Sequence, residues 1–157
     1  MPRFELSENG ILNLSNVMSK LYTEVCFKNV YYLIGSISGV DGAERIFNVE
    51  REVLDNYLKT IHPNNDYIIL DYYYIDKIMT GNTTYIDRMI ISDMVLKSLV
   101  DFVVLIDNSN WVNSRGTLSE LSIAATNNIE VLHMSDIHNI LDNILEGDED
   151  NGWWIKI

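Results

Sequence analysis

Phe102-Val103-Val104-Leu105-Ile106 is an unbroken apolar run bracketed by Asp101 and by the polar stretch Asp107-Asn108-Ser109-Asn110. A run this short, rich in β-branched residues and bounded by loop chemistry, predicts a strand buried on both faces. Upstream, about Thr84–Leu99 carries apolar residues at helical spacing. Downstream, the loop Asp107–Arg115 leads into a helix at about Gly116–Asn127 and a further strand at Val131–Met134. Strands joined through a helix lie parallel in one sheet, so this stretch alone argues for an α/β fold. The same alternation extends to both ends. Val30–Ile34 reads as the first strand, and Ala43–Ile61 as a helix with Ile46, Phe47, Val53, Leu54, Tyr57, Leu58 and Ile61 on one side. His62-Pro63-Asn64-Asn65 stops that helix, because a proline disfavours helix at the residue before it. Tyr67–Asp71 is the second strand, the tyrosines at Tyr72–Tyr74 and Gly81-Asn82 read as a long loop with a short element of unassigned type within it, and the last helix falls at about Asp136–Leu145. Helices on both faces of a mostly parallel sheet of about five strands is the expected arrangement.

The chain of 157 residues fits one domain with a single core. Residues 1–28 read as an N-terminal extension carrying a short amphipathic helix over Ile11–Phe27, residues 29–145 as the domain, and 146–157 as an acidic tether with an apolar tail, Trp153-Trp154-Ile155. The longest apolar runs are too short for a bilayer, and MPRFELSENG has no apolar core of a signal peptide. Cys26 stands alone, so the expected setting is reducing and cytoplasmic. His62, His133 and His138 never share a helical face, so a structural or catalytic zinc site is not expected, and no cofactor is assigned. Eleven Lys and Arg against 23 Asp and Glu give a net charge of −12, which argues against polymeric nucleic acid as a partner. A small anionic ligand remains compatible, since backbone N–H groups at a helix N-terminus bind phosphate without net positive charge.

Three features converge on what would be the C-terminal edge of the sheet, where open α/β folds hold ligands. Gly35-Ser36-Ile37-Ser38-Gly39 follows the first strand, either as an ordinary glycine turn or as a loop cradling a phosphate or sugar. It lacks the Lys-Ser/Thr of a nucleotide P-loop and the spacing of a dinucleotide fingerprint. Asp93 falls on the apolar stripe of Ile86, Met89, Ile90, Leu96 and Val100, where a carboxylate needs a partner or a task. Ser114-Arg115-Gly116-Thr117-Leu118-Ser119-Glu120 opens a helix. Thr117-x-x-Glu120 fits a capping box, and the same placement would keep a nucleophilic glutamate ionised beside a helix N-terminus.

In combination these residues resemble the nucleoside 2-deoxyribosyltransferase superfamily, including its deoxynucleoside 5′-monophosphate N-glycosidases and phage-type relatives. The resemblance spans about residues 30–134. Tyr32-Leu33-Ile34-Gly35-Ser36-Ile37 is similar to the family's first-strand motif, Asp93 and Asp101 to its catalytic aspartate and the aspartate opening the next strand, and Ser114-x-Gly116-x-x-x-Glu120 to its serine, glycine and nucleophilic glutamate. Trp111 is similar to the phage-type relatives. The resemblance implies a single-domain Rossmann-like three-layer sandwich and a double displacement at the anomeric carbon, without cofactor. Glu120 would be the nucleophile, Asp93 the acid/base and Tyr32 the group orienting Glu120, with Gly35, Ser36, Ile37, Ser38, Trp111, Ser114 and Gly116 against the substrate. It also implies a homodimer or larger homo-oligomer. Richness in Asn, Ile and Tyr is compatible with a phage protein acting in its host's cytoplasm.

At position 114 the transferases of the family resemble one another in a carboxylate that grips the 5′-hydroxyl, a group that would repel phosphate. Ser114, a neutral donor, resembles the monophosphate hydrolases instead. Those hydrolases carry an arginine where Ser38 stands, leaving Arg45 or Arg115 as substitute cations. Three alternatives compete: base exchange by a transferase, a silent nucleotide-binding protein on the same scaffold, and a structural protein in which Glu120 caps and Asp93 is paired. Gly116-Thr117-x-x-Glu120 also resembles an element of the cytokinin-activating phosphoribohydrolases, without their preceding Pro-Gly-Gly.

Overall fold

A computed structural model describes residues 5–37, 40–107 and 111–150, with side chains through 144. Strands Asn29–Ile34 (β1), Tyr67–Asp71 (β2), Phe102–Leu105 (β3) and Glu130–His133 (β4) pair in parallel in the order β2-β1-β3-β4. Helices Glu8–Glu24 (α1), Ala43–Ile61 (α2), Tyr72–Ile78 (α3), Tyr85–Leu99 (α4), Arg115–Thr126 (α5) and Met134–Asp150 (α6) complete the described fold, with a 3-10 turn at Trp111–Asn113. The expectation of about five strands is corrected to four among the described residues. The apolar segments outside the four strands carry helical periodicity and form helices.

Alternate residues along the strands feed two separate apolar clusters, as the two-residue period of a strand dictates. Val30, Tyr32, Ile34, Leu70, Val103 and Leu105 pack with Val17 and Leu21 of α1, Ile75 of α3, Ile91, Val95 and Leu96 of α4, and Ala124 of α5. Tyr31, Leu33, Ile69, Val104 and Ile106 pack with Phe47, Leu54 and Leu58 of α2, and Met134 and Ile137 of α6. Both strand faces are thus apolar, which explains why β1 and β3 read as unbroken hydrophobic runs rather than alternating ones. Among the described residues, no helix is long and apolar enough to cross a membrane.

Several boundaries differ from expectation. The short element left unassigned in the expected loop is helix α3, Tyr72–Ile78, which Asp71 caps by accepting from the Tyr74 N–H at 2.8 Å. The acidic stretch expected as a tether continues helix α6 through Asp150, where Leu145, Glu146 and Glu149 are good helix formers. Trp153-Trp154-Ile155 lies outside the described residues. Helix α1 is part of the core rather than an appendage, since Val17 and Leu21 are fully buried.

The start of α1 is tied to α4 through Asp87. Its carboxylate accepts from the Ser7 N–H at 2.8 Å, the Ser7 hydroxyl at 2.5 Å and the Thr84 N–H at 2.9 Å. These donors hold the Asp87 carboxyl down to about 2, the Ser7 hydroxyl first among them. Gly10 lies against this group: a Cβ there would sit 2.3 Å from Asp87 Oδ1. Alanine in place of a helical glycine normally stabilises. Here Gly10→Ala is expected to destabilise by about 1–3 kcal/mol through overpacking against a carboxylate that three bonds prevent from moving. Urea denaturation of the variant checks the sign.

Asp101, preceding β3, locks that strand to the first: its carboxylate accepts from the Val30 N–H at 2.8 Å and its own N–H donates to the Val30 carbonyl at 3.0 Å. β1 and β3 are neighbours, yet the chain leaves β1 for α2, on one apolar cluster, and β3 for α5, on the other. Adjacent strands whose connections diverge open a crevice at their C-terminal ends. The turn after β1 and the N-terminus of α5 both fall at that edge.

Candidate active site

β1 carries Tyr32, 1% exposed, in the core cluster it shares with α1, α3, α4 and α5. Gly35 then allows the turn to pass close to the end of β3, since a Cβ there would meet Ile106 Cβ at 3.1 Å. Ser36 is buried behind it, and Ile37 packs on the α2 side of the sheet. Ser38 lies outside the described residues. Trp111 sits half-buried in the 3-10 turn against the α1–α4 cluster, and its carbonyl accepts from the Ser114 N–H at 3.0 Å.

Helix α5 is capped by Ser114, whose Oγ accepts from the Thr117 N–H at 3.2 Å and from the Thr117 hydroxyl at 2.9 Å. Both bonds use Ser114 as acceptor, so its own proton remains available to a ligand. Gly116, in the first turn, has no atom within 4 Å of where a Cβ would stand. The capping-box reading of Thr117 and Glu120 is corrected: Thr117 is buried as the third residue of the helix, and Glu120 lies a turn further along. The helix starts three residues earlier than that box requires because Ser114 already supplies the cap.

Glu120 is partly buried and makes no hydrogen bond or ion pair with any described residue. Burial first, and the charge of Asp93 second, push its carboxyl up to about 8. Proximity to a helix N-terminus therefore does not hold it ionised as expected, because Glu120 sits beyond the first turn, where the helix field falls off. Asp93, half-buried on α4, also has no hydrogen-bond or ion-pair partner among the described residues, and burial raises its carboxyl against the opposing charge of Lys97. Two carboxylates that feel each other titrate as a pair, and this pair retains a proton near neutrality.

The Tyr32 hydroxyl does not form the expected hydrogen bond to Glu120. Burial and then the Glu120 charge raise it well above the ordinary tyrosine range, with Asp71 and Asp93 adding to the effect. It approaches the Ser92 hydroxyl, which opposes the shift, but neither group closes a hydrogen bond of normal geometry. Among the described residues, the buried side-chain polar atoms without a partner are Tyr32 Oη, Ser36 Oγ, Arg88 Nε and Ser92 Oγ. All four belong to β1, the turn that follows it, or α4. Buried polar groups are normally satisfied by protein or ordered water, so these four atoms are hydrogen-bonding capacity that the described residues leave unused.

Sequence reasoning missed Ser92, Arg88 and Asp71. Ser92 and Arg88 were legible as helix neighbours of Asp93, one residue and one turn away. Asp71, ending an apolar strand at the ligand edge, was a comparable signal. It is 1% exposed, pairs with Arg51 at 2.7 Å and adds to the field at Tyr32. Of the substitute cations, Arg45 and Arg115 are exposed. Arg45 lines an open cleft of about 320 Å³ with Asp41, Gly42, Ile46, Val49 and Glu50, and a second cleft of about 490 Å³ follows β2 beside Arg51 and Tyr67. Neither contains Glu120 or Asp93. Compared with protein-family models, curated proteins and solved structures, the chain shows no significant match.

Proposed function

We propose that the protein hydrolyses the N-glycosidic bond of a (deoxy)nucleoside 5′-monophosphate on a Rossmann-like three-layer scaffold. The observation that carries the reading is the pair Glu120 and Asp93: two carboxyls without hydrogen-bond partners, each raised by burial, and close enough for one to feel the other's charge. Such a pair with one proton between them has the inventory a retaining glycosidase needs, an acid and a nucleophile. In the first step the proton of the pair passes from Glu120 to Asp93; the Glu120 carboxylate then attacks C1′, the bond from C1′ to the base nitrogen breaks, and Asp93 gives that proton to the departing base. In the second step Asp93 takes a proton from water, whose oxygen displaces Glu120 from C1′. The sum is nucleotide plus water going to free base plus sugar phosphate. The Tyr32 hydroxyl, lacking a partner, would donate to Glu120 as its negative charge returns.

The N-terminus of α5 suits the phosphate: Ser114 keeps a donor proton, and Gly116 leaves open space beside the free N–H groups of the first turn. A homodimer in which the neighbour helps close the crevice belongs to the same proposal. Chromatographic assay against ribo- and deoxynucleoside monophosphates and the free nucleosides tests it. Base release from a monophosphate supports the hydrolase. Exchange only on addition of a second base makes the protein a transferase. Tight binding with no turnover favours a binding protein.

Ser114→Asp is expected to lower kcat/KM for the monophosphate by about 100-fold, through charge repulsion and loss of the donated hydrogen bond. The free nucleoside should change far less. A parallel loss on both substrates would remove the phosphate from this end of the site.

A further inference from the structure

Thr117 is the third residue of α5 and is fully buried, with 0% exposure. Its hydroxyl lies 2.9 Å from Ser114 Oγ, and its N–H donates to the same oxygen at 3.2 Å. Two hydroxyls in contact can run in either direction, since each is both donor and acceptor. Burial decides between the two. A buried O–H proton without an acceptor is costly, and among the described residues Ser114 Oγ is the acceptor that Thr117 meets. Threonines further along a helix have an alternative in the carbonyl four residues back: Thr126 donates to Ser122 at 2.9 Å and Thr23 to Ser19 at 3.3 Å. For Thr117, in the first turn, that carbonyl belongs to Asn113, which precedes the cap and is not its partner. Thr117 therefore donates to Ser114.

That direction fixes what Ser114 can do. Its oxygen receives two donors, which occupy both lone pairs, so the group left to it is its own proton. No described residue accepts that proton, and Ser114 is partly exposed where Thr117 is sealed. A serine cap receiving only the backbone N–H keeps a spare lone pair and can donate or accept. Ser114, with the Thr117 hydroxyl beneath it, can only donate.

We propose that Thr117 is a positioning residue that locks Ser114 as a one-way hydrogen-bond donor, so that the ligand group held by Ser114 is an acceptor, as a phosphate oxygen is. This rests on the reading above, which puts the nucleotide phosphate at Ser114, and names the residue that enforces it. Thr117 touches no substrate. It acts by taking the lone pair with which Ser114 would otherwise receive a proton. A phosphate oxygen only accepts and is favoured, a 5′-hydroxyl can turn to accept and is tolerated, and a 5′-ammonium, which has only donors, is rejected.

The test is calorimetric binding to the full chain carrying Glu120→Gln, which removes turnover from the measurement. A panel of ribo- and deoxynucleoside 5′-monophosphates identifies the nucleotide bound most tightly. Its free nucleoside and the 5′-amino-5′-deoxy analogue of that nucleoside complete the probes. Thr117→Val, which removes the hydroxyl at similar volume, should weaken the monophosphate about five-fold, tighten the 5′-amino compound about two-fold or more, and leave the nucleoside within about two-fold. Effects of opposite sign on two ligands do not arise from a general loss of packing. Thr117→Ser, which keeps the hydroxyl, should retain the parent ranking. In a chain that also carries Ser114→Ala, Thr117→Val should add no further change, since the oxygen through which it acts is gone. Circular dichroism verifies that each variant folds, and Thr117→Ala repeats the measurement with a side chain that demands less space. Equal losses on all three ligands would make Thr117 purely structural and overturn the proposal, as would an effect of Thr117→Val that persists beside Ser114→Ala. Unchanged monophosphate binding by Thr117→Val overturns it and leaves the nucleotide reading standing. Failure of every monophosphate to bind overturns both readings together.

Discussion

Glu120→Gln is expected to lower kcat for base release by at least about 10⁴-fold, with folding intact. The substitution keeps the size and hydrogen-bonding capacity of the side chain but removes the oxygen nucleophile, so nothing can form the glycosyl ester. Asp93→Asn should cost less, about 10²- to 10⁴-fold, the usual range for a general acid. Its deficit should shrink on nucleotides whose base leaves without protonation. Intact-mass spectrometry of wild-type protein quenched during turnover should show a sugar-phosphate adduct on the peptide containing Glu120, absent from Glu120→Gln. Activity of Glu120→Gln within about ten-fold of wild type would end the double-displacement reading.

The same substitution should stabilise the protein at alkaline pH. Glu120 titrates near 4.5 in an unfolded chain and at about 8 in the folded protein, because burial and the Asp93 charge disfavour its ionised form. Between those values the folded state binds more protons than the unfolded state, so stability falls as pH rises. The contribution of the protonated group is complete below about pH 4.5 and is lost through about pH 8. Glutamine carries no charge at either end. Glu120→Gln should therefore match wild type near pH 4.5 and exceed it at pH 8 by on the order of 3 kcal/mol. For a chain of this size that corresponds to roughly 6–12 °C in Tm. Thermal denaturation at the two pH values measures it. Equal Tm for the two proteins at pH 8 would mean that Glu120 is solvated and ordinary, and the pair would lose its claim to the chemistry. A gain in stability with loss of activity is the signature of a strained functional group.

The elements that resisted sequence reading share a cause. Ala43–Ile61 and Tyr67–Asp71 were legible to the residue because a stop signal, His62-Pro63, separates a clean helical stripe from a short apolar run. Tyr72–Ile78 was not, since three consecutive tyrosines carry no period. What makes it helical is the carboxylate of Asp71 turned onto the Tyr74 N–H, together with Ile75 reaching the core. Helix α1 read as part of an N-terminal extension because its stripe had no visible counterpart. Its counterpart is α4, and the tie through Ser7 and Asp87 joins residues 80 positions apart.

The candidate site divides along the same line. Tyr32, Asp93, Ser114 and Glu120 were identifiable because each residue type stands at a particular place on a strand or helix, and local pattern determines such places. Local pattern also left Glu120 open between a cap and a nucleophile, since both occupy the same short motif. The tertiary structure removes the cap, which Ser114 supplies, and α4 brings Asp93 close enough for its charge to act on Glu120. By itself the sequence determined the α/β class, the parallel strands and the edge of the sheet where ligands gather, because these follow from periodicity and from the geometry of crossover connections. Only the tertiary structure decided that the two carboxyls lack partners among the described residues and that burial with the Asp93 charge pushes the Glu120 carboxyl up to about 8. Burial and Coulomb interaction are properties of distance in space, and separation along the chain carries no record of them.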